Sequence, residues 1–188
     1  YSYIAPTVTE VTGLPASAVP IFLLVYGVSG LIGNIVAGRM GDWSVIRSIV
    51  IGLAGIGVAL GVFAAVASYA VAALVVLALI SVLASVLVIN LQLRLMQVAG
   101  SAQTLAAASN HAALNLANAL GAWLGGLVIA AGFGYRAPSV VGVGLAALGL
   151  VILGISLLIH RRDHPGRVSI RPGGPSGRDA SSSVAQVS

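Results

Sequence analysis

The sequence predicts an all-α fold, a polytopic bundle of transmembrane helices. Two observations carry this. Hydrophobic residues make up 59% of the chain and charged residues 7%, whereas a domain folded in water carries roughly 25% charged residues. The few charges also leave long uncharged runs between them: 28 residues from Glu10 to Arg39, 46 from Arg47 to Arg94, 41 from Arg94 to Arg136 and 24 from Arg136 to Arg161. One helix crosses the hydrocarbon core with about 20 residues. With a mean hydropathy of +1.07, a water-soluble fold is excluded. So are general disorder, which needs low hydrophobicity, and a disulfide scaffold, since the chain has no cysteine.

The elements follow in order. Tyr1 to Val11 reads as the last turns of a truncated helix. The chain opens on tyrosine with no basic region ahead of an apolar run, so a fragment without a signal peptide is expected. Complete spans are expected at Ala18–Gly38, Val45–Ala67, Ala70–Leu93, Ala102–Ala131 and Pro138–His160. The 46-residue run must hold two crossings, and Ala67-Ser68-Tyr69 is the softest point for the turn. From Asp163 onward proline, glycine and serine replace the apolar pattern. The organisation is therefore a membrane unit over residues 1–162 and a disordered tail over 163–188.

All nine basic residues are arginine. With five crossings, eight of them share one side: Arg39, Arg47, Arg94 and five in the tail, against Arg136 and Glu10 on the other. The positive-inside rule then puts the tail in the cytoplasm. The tail arginines serve first as a topology anchor within reach of anionic lipid. They form no stripe with aromatics, so nucleic acid is not expected as a partner; the lipid bilayer is.

Polar side chains are expensive inside lipid and turn toward protein or a water-filled cavity. The first span carries Ser29 and Asn34, the third Asn90 and Gln92, and the fourth Asn110, His111, Asn115 and Asn118, while the second has Ser48 and the fifth Ser139 and Ser156. Spans one, three and four are thus expected inside and two and five outside. At 100° per residue His111, Asn115 and Asn118 fall within about 60° of one another, with Asn110 roughly a quarter turn away. Clustered intramembrane polars mark a pathway; the plainer alternative is hydrogen bonding between helices, at about 0.6 kcal/mol each. Gly57-x-x-x-Gly61, Gly121-x-x-x-Gly125 and the Gly27, Gly30, Gly33 series are packing signals.

The run Gly33-Asn34-Ile35-Val36-Ala37-Gly38-Arg39-Met40-Gly41-Asp42 closes the first span and opens a turn. Arg39 at one helix end and Asp42 just ahead of the next helix both suit the helix dipole. Here the sequence begins to resemble the major facilitator superfamily, whose short cytoplasmic loops carry a Gly-Arg-x-x-Asp signature after the second and eighth helices. Gly38, Arg39 and Asp42 match it, while Trp43 stands where a basic residue is usual. Tyr3-Ile4-Ala5-Pro6, Leu91-Gln92-Leu93-Arg94, the run Asn115-Leu116-Ala117-Asn118-Ala119-Leu120-Gly121 and Gly132-Phe133-Gly134-Tyr135-Arg136 look like the arabinose-efflux-permease-like branch of drug and sugar exporters. Ile89-Asn90 replaces a common proline there.

The resemblance implies the C-terminal six-helix half, first helix truncated, of a twelve-helix major facilitator fold in a bacterial inner membrane. It implies secondary active, proton-coupled efflux of a small-molecule substrate, with protons as coupling ion and a missing N-terminal half as partner. Candidate substrate-binding residues are His111, Asn115, Asn118, Asn110, Asn90 and Gln92, with no cofactor and no metal. Between Val11 and His160 the only acid is Asp42, so a coupling carboxylate is expected in the N-terminal half. The competing reading is a rhomboid-type intramembrane serine protease, from Gly27-Val28-Ser29-Gly30 with His111 as base. A P-loop is absent from the sequence, and the Gly55-Ile56-Gly57 run has no strand before it.

Overall fold

A computed structural model describes residues 3–163, and all of its regular elements are helical. The longest helical stretch covers 48 residues, Val19–Val66. Such a helix would be about 72 Å long, more than twice the hydrocarbon core. It is divided at Ser44, whose φ of −173° and ψ of 111° are extended. We therefore name α1 (residues 19–43), α2 (residues 45–66), α3 (Ala70–Val98), α4 (Gln103–Val128) and α5 (Ala137–Asp163). Ahead of α1 lie a helical turn at Ile4–Pro6 and a π-helical turn at Thr7–Val11, and a second π-helical turn, Ile129–Phe133, follows α4. The expected tail lies, beyond Asp163, outside the described residues.

Contacts with α3 give the direction of each rod. On α1, Ser81 Oγ donates to the carbonyl of Tyr26 at 2.6 Å, Ser85 Oγ to that of Gly30 at 3.2 Å, and Asn90 Nδ2 to that of Ala37 at 3.2 Å. Residue numbers rise together, so α1 and α3 are parallel. On α2 the order inverts: Gly52 sits against Leu87 and Gly55 against Leu83. The chain therefore reverses at Ser44, and the long helix is two crossings. On its other side α2 meets α5 antiparallel, with Gly57 against Ala146 and Gly61 against Val143.

The reversal needs a cap. Ser44 has N-cap geometry, and its Oγ accepts from the N–H of Arg47, three residues on, at 3.4 Å. Ser48 Oγ, fully buried, donates to the carbonyls of Ser44 at 2.8 Å and Met40 at 2.7 Å, which ties the two rods together. The expected turn at Gly38–Ser44 is thus shorter than its glycines suggested. Gly38, Arg39 and Asp42 belong to the last two turns of α1, because a helix can run through glycine and ends here only where Ser44 offers a competing cap.

The opposite end is closed by the N-terminal segment. Ile4 and Val8 pack with Phe22 of α1 and with Ala73 and Leu77 of α3. Thr12 Oγ1 donates to the carbonyl of Ala67 at 2.8 Å. Tyr3 OH donates to the carbonyl of Ala122 on α4, and Arg136 donates to Ser68 Oγ. The two ends match the expected division of charge: Arg39, Arg47 and Arg94 at one, Glu10 and Arg136 at the other.

Within the described residues α2 is covered on two sides, by α3 and α5, whereas α4 buries only Asn110 and Gly125. Polarity shows that a face avoids lipid, but not which chain segment covers it.

Candidate substrate-binding face

The candidate site starts from α4, the least apolar of the membrane-crossing helices. Its centre falls at Asn115, since α4 runs Gln103–Val128, so a helix crossing the bilayer holds Asn115 and Asn118 near the midplane. Helical spacing aligns His111, Asn115 and Asn118 on one face, and all three are exposed. Leu116, Leu120 and Trp123, 61%, 47% and 61% exposed, lie about 120–180° around the helix from His111, on its opposite side, while the small side chains of Ala107 and Ala122 flank the stripe. Sparse hydrogen-bonding groups on an apolar wall are the composition of a small-molecule pocket.

Asn110 differs. It is 6% exposed, and its Nδ2 has no hydrogen-bond acceptor among the described residues. It turns toward the bundle while its neighbours turn away, as the quarter-turn offset requires.

Asn90 is not brought to this face. It is wholly buried between α1 and α3, where Nδ2 donates to Ala37 and, at 2.9 Å, to the carbonyl of Val86. That geometry is a helix tether, and in this arrangement no substrate reaches it. Gln92, on the same helix, is half-buried. Gly38, Arg39 and Asp42 stand at the α1–α2 turn, well away in sequence and at the bundle's end.

A second lining escaped the sequence reading. Tyr26, Gly27, Gly30 and Asn34 of α1 face Ser81, Ser85 and Val88 of α3 across an open groove of about 310 Å³. Asn34 is exposed and contributes its amide. The available signal was Ser81 and Ser85, four residues apart and hence on one helix face, together with the glycine series opposite.

The protease reading finds no support. Ser29 is buried on α1, at 8% exposure, and His111 is exposed on α4. No hydrogen bond joins them among the described residues, so nothing prepares the hydroxyl as a nucleophile.

Residues 1–185 match the family model described as Major Facilitator Superfamily. The chain is 33% identical over 156 residues to the inner membrane transport protein YdhP of Escherichia coli K12, covering 83% of this chain and 40% of that protein. It is 34% identical over 168 residues to the uncharacterized MFS-type transporter YtbD of Bacillus subtilis, covering 87% of this chain and 42% of that one. With the putative transporter AraJ of E. coli it shares 26% identity over 137 residues, 72% of this chain and 35% of AraJ. The chain thus spans about two-fifths of the length of the first two relatives. No solved structure matches it.

Proposed function

The chain belongs to the major facilitator superfamily, and from that premise we propose that it is the C-terminal six-helix half of a secondary active exporter of the arabinose-efflux-permease-like branch. The N-terminal segment is the end of helix seven, and α1 to α5 are helices eight to twelve. The complete protein moves a small molecule (a drug, a sugar or a metabolite) outward across a bacterial inner membrane by alternating access between its halves. Protons are the coupling ion. Asp42 is the only acid between Val11 and His160 and stands at a helix end, so the coupling carboxylate lies in the N-terminal half.

The uncovered polar face of α4 carries this reading. A helix that places His111, Asn115 and Asn118 on one face near mid-membrane, with no covering element among the described residues, needs a polar neighbour. The space between two transporter halves supplies one. Asn110, Gln92 and Asn34 extend the lining; Asn90 supports it from behind. The arginine-rich end of the bundle, with Arg39, Arg47 and Arg94, is the cytoplasmic side, and the C-terminus lies there too.

Transport by the complete exporter with Asn115→Ala, Asn118→Ala or His111→Ala tests this, with membrane abundance matched. Each change is expected to weaken export of one substrate more than another. Equal activity of all three on every substrate removes the face from the pathway. His111→Gln keeps a hydrogen-bonding side chain that cannot titrate, so an unchanged pH profile assigns His111 to binding and a shifted one to proton movement.

A further inference from the structure

The α1–α2 turn carries Trp43 where the family signature has a basic residue. The Arg47 guanidinium lies over the Trp43 ring, 5.2 Å from its centroid. Trp43 is 60% exposed, and Arg39 and Arg47 are exposed with it. The Met40–Ser48 hydrogen bond holds the neighbours of Arg39 and Arg47 together across the turn. Arg94 stands at the same end of the bundle on α3, next to Leu93, which packs on Gly41. Among the described residues none of the three arginines has a carboxylate partner.

We propose that this turn binds the phosphate of an anionic lipid headgroup. The chemistry is specific in three ways. Tryptophan prefers the membrane–water boundary, where an apolar ring meets a wet, polar layer. Stacking on that ring leaves the guanidinium edge, with its forked N–H donors, free to meet phosphate oxygens. Three arginines at this end against the single Asp42 carboxylate leave it net positive, which favours an anion over a zwitterion. A free phosphate ion offers the same oxygens, but only a lipid brings acyl chains to the exposed face of Trp43.

Trp43 and Trp123 are the two tryptophans of this chain, so the complete exporter with Trp123 and every tryptophan of its N-terminal half changed to Phe reports from Trp43 alone. It is reconstituted in phosphatidylcholine nanodiscs containing an equal mole fraction of either brominated phosphatidylglycerol or brominated phosphatidylcholine. Phosphatidylglycerol should quench Trp43 in severalfold excess, following an enrichment of roughly fivefold for each arginine that engages. The excess should fall in Arg47→Gln, vanish when Arg39, Arg47 and Arg94 are all glutamine, and fade as salt is raised on the otherwise unaltered chain. Equal quenching by the two lipids, an excess indifferent to salt, or an excess surviving the triple change overturns the proposal. Displacement of the excess by inorganic phosphate at matched ionic strength assigns the turn to a free anion instead and likewise overturns it.

Discussion

Asn90 donates its side-chain amide to the carbonyl of Ala37, 53 residues earlier, from a position with no exposure to the surroundings. Together with Ser81 to Tyr26 and Ser85 to Gly30, this makes three side chains of α3 that bind successive carbonyls of α1. Those carbonyls already serve the α1 ladder, so each accepts a second donor through its other lone pair. The parallel pair is fastened by hydroxyls and an amide, because in lipid apolar packing alone gives no hydrophobic drive between helices.

Removing the amide tests the tether. Asn90→Ala should lower thermal stability in detergent by about 0.6 kcal/mol, up to about 1.7, and leave substrate preference unchanged. A changed preference at unchanged stability would return Asn90 to the substrate-binding set.

At Gly33 α1 and α3 approach closely. A Cβ there would lie 2.8 Å from Ser85 Cβ and 2.9 Å from the Val82 backbone. Since backbone atoms cannot swing aside, Gly33→Ala should destabilise by about 1–3 kcal/mol. Gly27→Ala, where nothing lies within 4 Å, should be neutral or slightly stabilising. Indistinguishable melting of the two variants would contradict the close approach.

The reversal at Ser44 is a capping event. Ser44→Ala removes the acceptor for Arg47 N–H and should cost about 1 kcal/mol, while Ser44→Asn restores it. Thermal unfolding of the pair measures the difference; equal loss in both would show that the cap contributes nothing.

Absence of native cysteine makes topology directly measurable. Asp42→Cys and Ser101→Cys occupy one end of the bundle and Ser17→Cys the other, and all three positions are exposed. In intact cells an impermeant thiol reagent should label Ser17→Cys and spare the other two. Opposite labelling of Asp42→Cys and Ser101→Cys would break the five-crossing arrangement itself.

The sequence by itself located the apolar helices and the breaks between them. Burying an arginine or aspartate in hydrocarbon is prohibitive, so uncharged runs such as Arg47 to Arg94 reveal their crossings without any partner. It also determined that His111, Asn115 and Asn118 share a face, because helical periodicity is local. Tertiary structure alone decided what each polar residue does. Asn90 and Asn115 are the same residue type on apolar helices, yet one is locked onto Ala37 and the other stands open, because the partner carbonyl lies on another helix 53 residues away. It likewise decided which helices meet, with α2 packed between α3 and α5. Lipid-facing and protein-facing helix surfaces are both apolar, so hydropathy cannot rank them; only the small residues that permit contact, Gly52 on Leu87 and Gly57 on Ala146, choose which surfaces meet.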